Sequence, residues 1–360
     1  MIRQHGKLTF LSFLLVVLCG NTFAQKIPVI PLDLDSLITV GYATGSLKTL
    51  SGSVEKITEK QMNKDQVTNP LEAIRGRVPG LTIQRGTNGL AALDAVRLRG
   101  TTSLTSGNDP LIIVDGVFGD LSMLTSIYPT DIESFTILKD ASETAQYGSR
   151  GASGVIEVTT KKGMQGRTQV AYNGSFGIST VYKNLKMLSG DEFRSVASER
   201  GISILDKGNN TNFQKEIQQT GLQQNHHVAF YGGSSTSSYR VSLGFMDRQG
   251  VILNEDMKNF TSNMNMNQKM FDGFFDCELG MFGSILKNHN LVDYQKTFYS
   301  AATFNPTYPN HKDPVTNSWD GITTASQITN PLAWMQVDDD DATSHILSLI
   351  HISEPTRLDV

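Results

Sequence analysis

Phe135-Thr136-Ile137-Leu138-Lys139-Asp140-Ala141-Ser142-Glu143, followed by Gly154-Val155-Ile156-Glu157-Val158-Thr159-Thr160, reads as strand, short helix and strand. The two apolar runs are short and β-branched, as buried strands are. Asp140 precedes Glu143 by three residues, which resembles a capping box opening a helix. Lys161-Lys162-Gly163 ends the second strand. Working toward the N-terminus, Leu111-Ile112-Ile113-Val114 is another strand, stopped by Asp115-Gly116, and shorter strands are expected at 81–84 and 95–98. Asn69 is placed to cap a helix with Pro70 at its first position, with Leu71, Ile74 and Val78 on one face. Helices and strands mix without a βαβ period, so residues 51–163 are expected to form an α+β domain rather than a doubly wound one.

Beyond Gly166 the pattern changes. Val170, Tyr172, Phe176 and Ile178 alternate with polar and small residues; so do Tyr239, Val241, Leu243 and Phe245, and again Phe275, Cys277, Leu279, Met281 and Ile285. Segments 226–233 and 259–269 repeat the theme. These are period-2 strands with one apolar and one polar face. In a soluble sandwich the apolar face meets a second sheet. In a membrane barrel it meets lipid, and the polar face lines the interior. Periodicity alone leaves both open.

At the N-terminus, Arg3 and Lys7 precede the apolar stretch Leu8 to Leu18, and Thr22-Phe23-Ala24 offers a small-residue cleavage site, so residues 1–24 read as a secretory signal peptide. Cleavage there removes Cys19 and leaves Cys277 without an intramolecular disulfide partner. Residues 25–50 read as an extended arm broken by Pro28 and Pro31. Within it, the run Leu37-Ile38-Thr39-Val40-Gly41-Tyr42 suits addition to the edge of a partner's sheet, or equally a first edge strand of the next domain. With 31 Lys+Arg against 35 Asp+Glu, net charge −4, the chain has no surplus of cations to recruit nucleic acid.

Three stretches have specific wording: Asp35-Ser36-Leu37-Ile38-Thr39-Val40-Gly41-Tyr42, Asn69-Pro70-Leu71 with Arg75-Gly76-Arg77-Val78-Pro79-Gly80-Leu81, and Val96-Arg97-Leu98-Arg99-Gly100. They carry a resemblance of residues 35–163 to the SusC/RagA family of TonB-linked outer-membrane transporters. It continues through Asn108 to Gly116, Asp131 to Ser134, Ile137 to Ser142, Tyr147 to Ala152 and Gly154 to Ile156. Gln224-Asn225-His226, Gly232-Gly233-Ser234 and Tyr239 to Gly244 resemble its early barrel strands.

The fold this implies is an α+β plug domain followed by an incomplete antiparallel transmembrane β-barrel, with strands over 169–346. Barrels of this kind have about 22 strands of about 10 residues, more than the chain beyond Gly166 can supply. Leu347 to Arg357 resembles translated sequencing-adapter sequence, and residues 347–360 are set aside as non-native. The resemblance further implies import of a nutrient, an oligosaccharide or a peptide, and no enzymatic activity or cofactor. The partners would be the TonB-ExbB-ExbD energy-transducing complex, a SusD-like surface lipoprotein and outer-membrane lipid, with no nucleic acid. The protein would reside in the cell outer membrane, its plug and arm facing the periplasm. Leu37, Ile38, Thr39, Val40, Gly41 and Tyr42 would then be the TonB box. The competing function is that of a secreted β-rich binding or adhesion protein.

Other constellations carry less. Gly148, Gly151 and Gly154 lead into a strand rather than a helix, which favours a tight turn over a phosphate loop. His226-His227 would point to opposite faces of a strand, unlike a metal pair. Asp338 to Asp341 reads as a solvated external loop, without the spacing of a Ca²⁺ site. Arg75, Arg77, Arg97 and Arg99, with Arg85, are candidates for plug–barrel contacts with acidic groups of the wall, or for exposed arginines in a wet lumen.

Overall fold

The computed structural model describes residues 37–40, 43–46 and 53–355, apart from 64–66, 68, 87–88, 91–93, 105–106, 272–274, 292, 322–328 and 338. The expected signal peptide, Gly41, Tyr42 and Asp338 lie outside the described residues.

The arm run forms β1 (Leu37–Val40), which pairs antiparallel with β2 (Ala43–Ser46) as a separate two-stranded sheet. It is therefore not the edge strand of the domain that follows. That domain opens with β3 (Val54–Thr58) and α1 (Pro70–Ile74), then β4 (Leu81–Gln84) and β5 (Ala95–Leu98), which form a hairpin of their own. Next come β6 (Leu111–Val114), β7 (Val117–Gly119), α2 (Leu121–Thr125), β8 (Ile132–Leu138), α3 (Ala141–Thr144) and β9 (Val155–Thr160). The sheet order is β3-β8-β9-β6-β7, with β6 and β9 parallel and the other pairs antiparallel.

The period-2 pattern decides its core. Ile137, Ile156 and Ile112 stand in one cross-strand row, and Phe135, Val158 and Val114 in the next. Both rows are buried against Leu71, Ile74, Val96 and Leu124. Phe135 is the largest fully buried side chain there. As expected, Asn69 caps α1, its Oδ1 accepting the Leu71 amide at 3.0 Å with Pro70 at the first helical position. Asn69→Ala should lower stability by about 1 kcal/mol, read as a small fall in the thermal midpoint of the full-length protein.

One local reading needs correction, and another is borne out and gains a physical reason. Asp140 stands at the N-cap of α3 but does not cap it; its carboxylate accepts the Ser53 amide and pairs with Arg99 instead. A longer-range cation outcompetes the helix's own N–H groups, and the pair holds the Asp140 carboxyl below its usual range. Asp115-Gly116 ends β6 as expected, by turning the chain back. Both residues have positive φ (46° and 85°), forming the two-residue turn of the β6–β7 hairpin. The 148–154 glycines do make a turn: Gly154 has φ +91°, and a side chain there would strike Leu98.

The second part of the chain is a six-stranded antiparallel sheet in sequential order: β10 (Gly166–Ser179), β11 (Gly221–Gly233), β12 (Ser237–Gln249), β13 (Asp256–Met270), β14 (Phe275–Leu291) and β15 (Asp339–Pro355). Its outer strands β10 and β15 do not pair with each other, so the sheet stays open. The acidic run does not stay in a loop, since Asp339 to Asp341 begin β15 opposite Leu291 to His289. The backbone of 347–355, set aside on sequence, continues that strand.

Connections 234–236 and 271–274 are short and lie at one end; 180–220 and 292–338 are long and lie at the other, the asymmetry of outer-membrane barrels. Among the described residues the long connections carry four helices that the alternating strand pattern does not anticipate: α4 (Gly190–Glu199), α5 (Phe213–Glu216), α6 (Tyr294–Thr303) and α7 (Pro331–Val337). Their signals are local. Ser189 and Glu192 form a reciprocal capping box, and Asp293 caps α6 through the Lys296 amide. The two loops fold on each other around Phe213, Ile217, Ile252, Leu291, Phe304 and Met335. Thr211 clasps them, its amide donating to Pro306 O and its hydroxyl to Tyr308 O.

Candidate functional site: the plug against the inner wall

Which face of the six-stranded sheet is covered decides between the sandwich and the barrel. The apolar face is the open one: Val170 is 62% exposed and Leu243 44%. The polar face is buried against the plug, with Ser242 at 1% and Thr261, Asn263, Asn265 and Ser284 close behind. A soluble sandwich does the opposite. Along β12 the apolar band from Tyr239 to Phe245 spans roughly 20 Å at about 3.3 Å per residue, and matching apolar residues flank it on the neighbours, such as Phe230 opposite Val241 and Phe260 opposite Phe245. Tilted by about 40°, as barrel strands are, that length rises roughly 15 Å and fits within the roughly 25 Å apolar belt of a membrane barrel.

The centre of the plug–wall contact is Asp131, which ends a 3₁₀ turn just before β8 and is only 3% exposed. Arg240 Nη2 donates to its Oδ1 at 3.0 Å, and Ser242 Oγ donates to its Oδ2 at 2.7 Å. His227 Nε2 lies 3.0 Å from Oδ1, too far out of line to count as a hydrogen bond. Tyr128 stacks on the His227 ring, centroids 4.7 Å apart. Burial alone would raise the Asp131 carboxyl, but His227, Ser242 and Arg240 outweigh it and hold the group below the usual carboxylate range. Burial, and then the charge of Asp131, push the Tyr128 phenol up to about 12.

Strand period places these groups. Arg240 and Ser242 are two apart on β12, and His227 of β11 points inward while His226 points out and accepts or donates to the Tyr172 hydroxyl at 2.7 Å. The expected separation of the two histidines is thus observed, and no cluster of three metal-ligating side chains occurs among the described residues. Tyr128 can approach only because residue 244 has no side chain; a Cβ on Gly244 would sit 2.5 Å from both the Tyr128 ring and the Thr261 hydroxyl. Gly244→Val is expected to cost about 1–3 kcal/mol through overpacking, and faster proteolysis of the plug in the folded receptor would report it.

Further contacts complete the interface. Lys162 pairs with Glu278 of β14, and Asn265 Nδ2 donates to Thr160 Oγ1 at 3.3 Å. Asp115 accepts the Thr160 amide and hydroxyl, although burial still raises its carboxyl. Phe282 of β14 joins the plug's own core.

The arginines expected to reach the wall find their partners within the plug. Arg75 pairs with Asp94 at 3.2 Å, Arg97 with Asp109 at 2.6 Å and Arg99 with Asp140, while Arg77 donates to Asn63 at 2.8 Å. Arg85 pairs with Glu72. Nearby loops of the plug supply acids before the wall can. The sign of the central contact is the reverse of that expectation: the plug brings the acid and the wall the cation. Asp131 opens the stretch Asp131 to Ser134 that carries part of the family resemblance, but those residues alone give it no partner on the wall. Its one available signal was Arg240 on the inward face of an otherwise small and polar strand.

The comparisons agree with this geometry. Residues 46–155 match the TonB-dependent Receptor Plug Domain. TonB-dependent receptor SusC of Bacteroides thetaiotaomicron is 34% identical over 316 residues, covering 83% of this chain and 31% of SusC. TonB-dependent receptor P3 of Formosa agariphila is 34% identical over 266 residues, 74% of this chain and 26% of that protein. The chain therefore spans less than a third of the length of these curated relatives. Among solved structures, the RagAB peptide importer in its open-open state superposes with a TM-score of 0.75 at 23% identity, over 90% of this chain and 41% of that one. At that identity the likeness speaks for the fold alone. With a plug whose mixed sheet seats on the polar face of an antiparallel sheet turned apolar side out, the chain belongs to the SusC/RagA family of TonB-dependent receptors.

Proposed function

We propose that the full-length protein imports a nutrient, an oligosaccharide or a peptide, across the outer membrane. The TonB-ExbB-ExbD complex would draw on the Leu37 to Tyr42 run from the periplasm, and a SusD-like lipoprotein would close the outer face. The observation that carries this reading is the reversed sheet, apolar toward lipid and polar toward the plug. A secreted binding protein would bury the apolar face.

Two features support the partners. Among the described residues β1 of the arm pairs only with β2, a small hairpin whose opening would free an extended strand for a partner. Outside, the folded loops carry a groove of about 350 Å³ lined by Met187, Leu188, Phe193, Phe213, Ala301 and Phe304, a surface of the kind a lid protein covers. Deleting residues 37–42 from the full-length gene should abolish uptake while cargo still binds at the cell surface. Undiminished uptake would overturn the assignment.

A further inference from the structure

The pocket that holds Asp131 has the chemistry of a receptor rather than of a simple ion pair. We propose that Arg240, Ser242 and His227 form a carboxylate site on the inner wall, filled at rest by the plug's own Asp131 and, once the plug withdraws, by a carboxylate-bearing cargo. The cargo half rests on the import reading above; the site itself does not.

The three wall groups converge on both oxygens of one carboxylate. Arg240 and His227 approach Oδ1 and Ser242 donates to Oδ2. Their capacity is not used up. Arg240 Nε and His227 Nδ1 are buried without a hydrogen-bond partner, and His227 Nε2 is out of line, so Asp131 satisfies the set incompletely. A guanidinium can grip a carboxylate with two parallel N–H groups. Asp131, tethered by its backbone bonds to Tyr128 O and from the Lys161 amide, engages only one. A ligand free of that tether can turn to use both.

Just along the wall, Gln223 Nε2 and Asn225 Oδ1 are likewise buried and unpaired. They extend the site outward along β11 with groups suited to hydroxyls and amides. The class this selects is an acidic cargo with neutral polar neighbours, such as a uronate-bearing oligosaccharide or an acidic peptide.

The site is tested in the full-length receptor by removing the resident carboxylate and supplying one in solution. Asp131→Ala leaves room for formate. Formate, but not formamide, should raise the thermal midpoint by several degrees and increase the refolding yield in detergent. The gain should vanish in Asp131→Ala/Arg240→Gln. Because refolding yield is read as well, a variant that folds only with formate supports the proposal, and no gain from formate in either readout overturns it.

The cargo half is read in cells offered uronate-bearing and neutral oligosaccharides together with acidic and amidated peptides. Arg240→Gln should reduce depletion of the acidic members several-fold more than that of the neutral ones; an equal reduction overturns it. Wild-type cells that deplete nothing would count against import itself and leave the formate result standing.

Discussion

Asp131→Ala should be the most damaging single change at the plug–wall contact, costing about 3–5 kcal/mol. The reason is not the strength of the pair. Arg240 and Ser242 are almost fully buried, and truncating the acid leaves a cation in the interface with no counter-charge. Hydrogen exchange across 127–138 in the full-length receptor is the measurement, with protection expected to fall by two orders of magnitude or more. In Asp131→Ala/Arg240→Gln the loss should be much smaller than the sum of the single changes, since both charges are gone.

The pH dependence has a definite sign. The folded carboxyl lies below its unfolded value, so its contribution is fully present above about pH 3.9, the unfolded value. It is lost as pH falls further, through the folded value. Wild-type docking should therefore be flat from neutrality to about pH 4 and weaken below it. The groups facing Asp131 are His227, Arg240, Ser242 and Tyr128. The Arg240 cation favours the ionised carboxylate, which agrees with that sign. Asp131→Asn should remove the acid limb.

The second large effect tests the orientation of the sheet. Leu243→Arg should cost about 2–4 kcal/mol in a lipid or detergent belt, because Leu243 lies mid-way along β12 on its open apolar face. Were that face in water, a substitution at a residue 44% exposed would cost no more than about 0.5 kcal/mol. Urea unfolding of the refolded full-length receptor in vesicles separates these values. A near-neutral Leu243→Arg would overturn the membrane assignment, while leaving the plug fold untouched.

Much of this was legible from residues alone. Val114, Phe135, Ile137, Ile156 and Val158 declared buried strands by branching and brevity, and Asn69-Pro70 declared a helix start; both are statements about three or four neighbours, and local sterics decide them. The alternation at Tyr239 to Met246 declared two faces but not which one is buried, because period 2 is the same in a sandwich and a barrel. The capping box at Ser189 and Glu192 is equally local, a helix start set within four residues.

Charge pairing was the least legible layer. Arg75, Arg97 and Arg99 are visible as cations anywhere in a sequence, yet Asp94, Asp109 and Asp140 claim them through folded loops, 12 to 41 residues apart. Asp131 meets Arg240 across 109 residues and two different folding units. By itself, then, the sequence determined the plug, the period and position of most wall strands, and the family, since short-range sterics and side-chain alternation fix these. Only the tertiary structure decided that the polar face turns inward, that the plug brings the acid, and that Gly244 makes room for Tyr128. Those outcomes depend on which surfaces meet, and burial converts that meeting into energy only once both surfaces are in place.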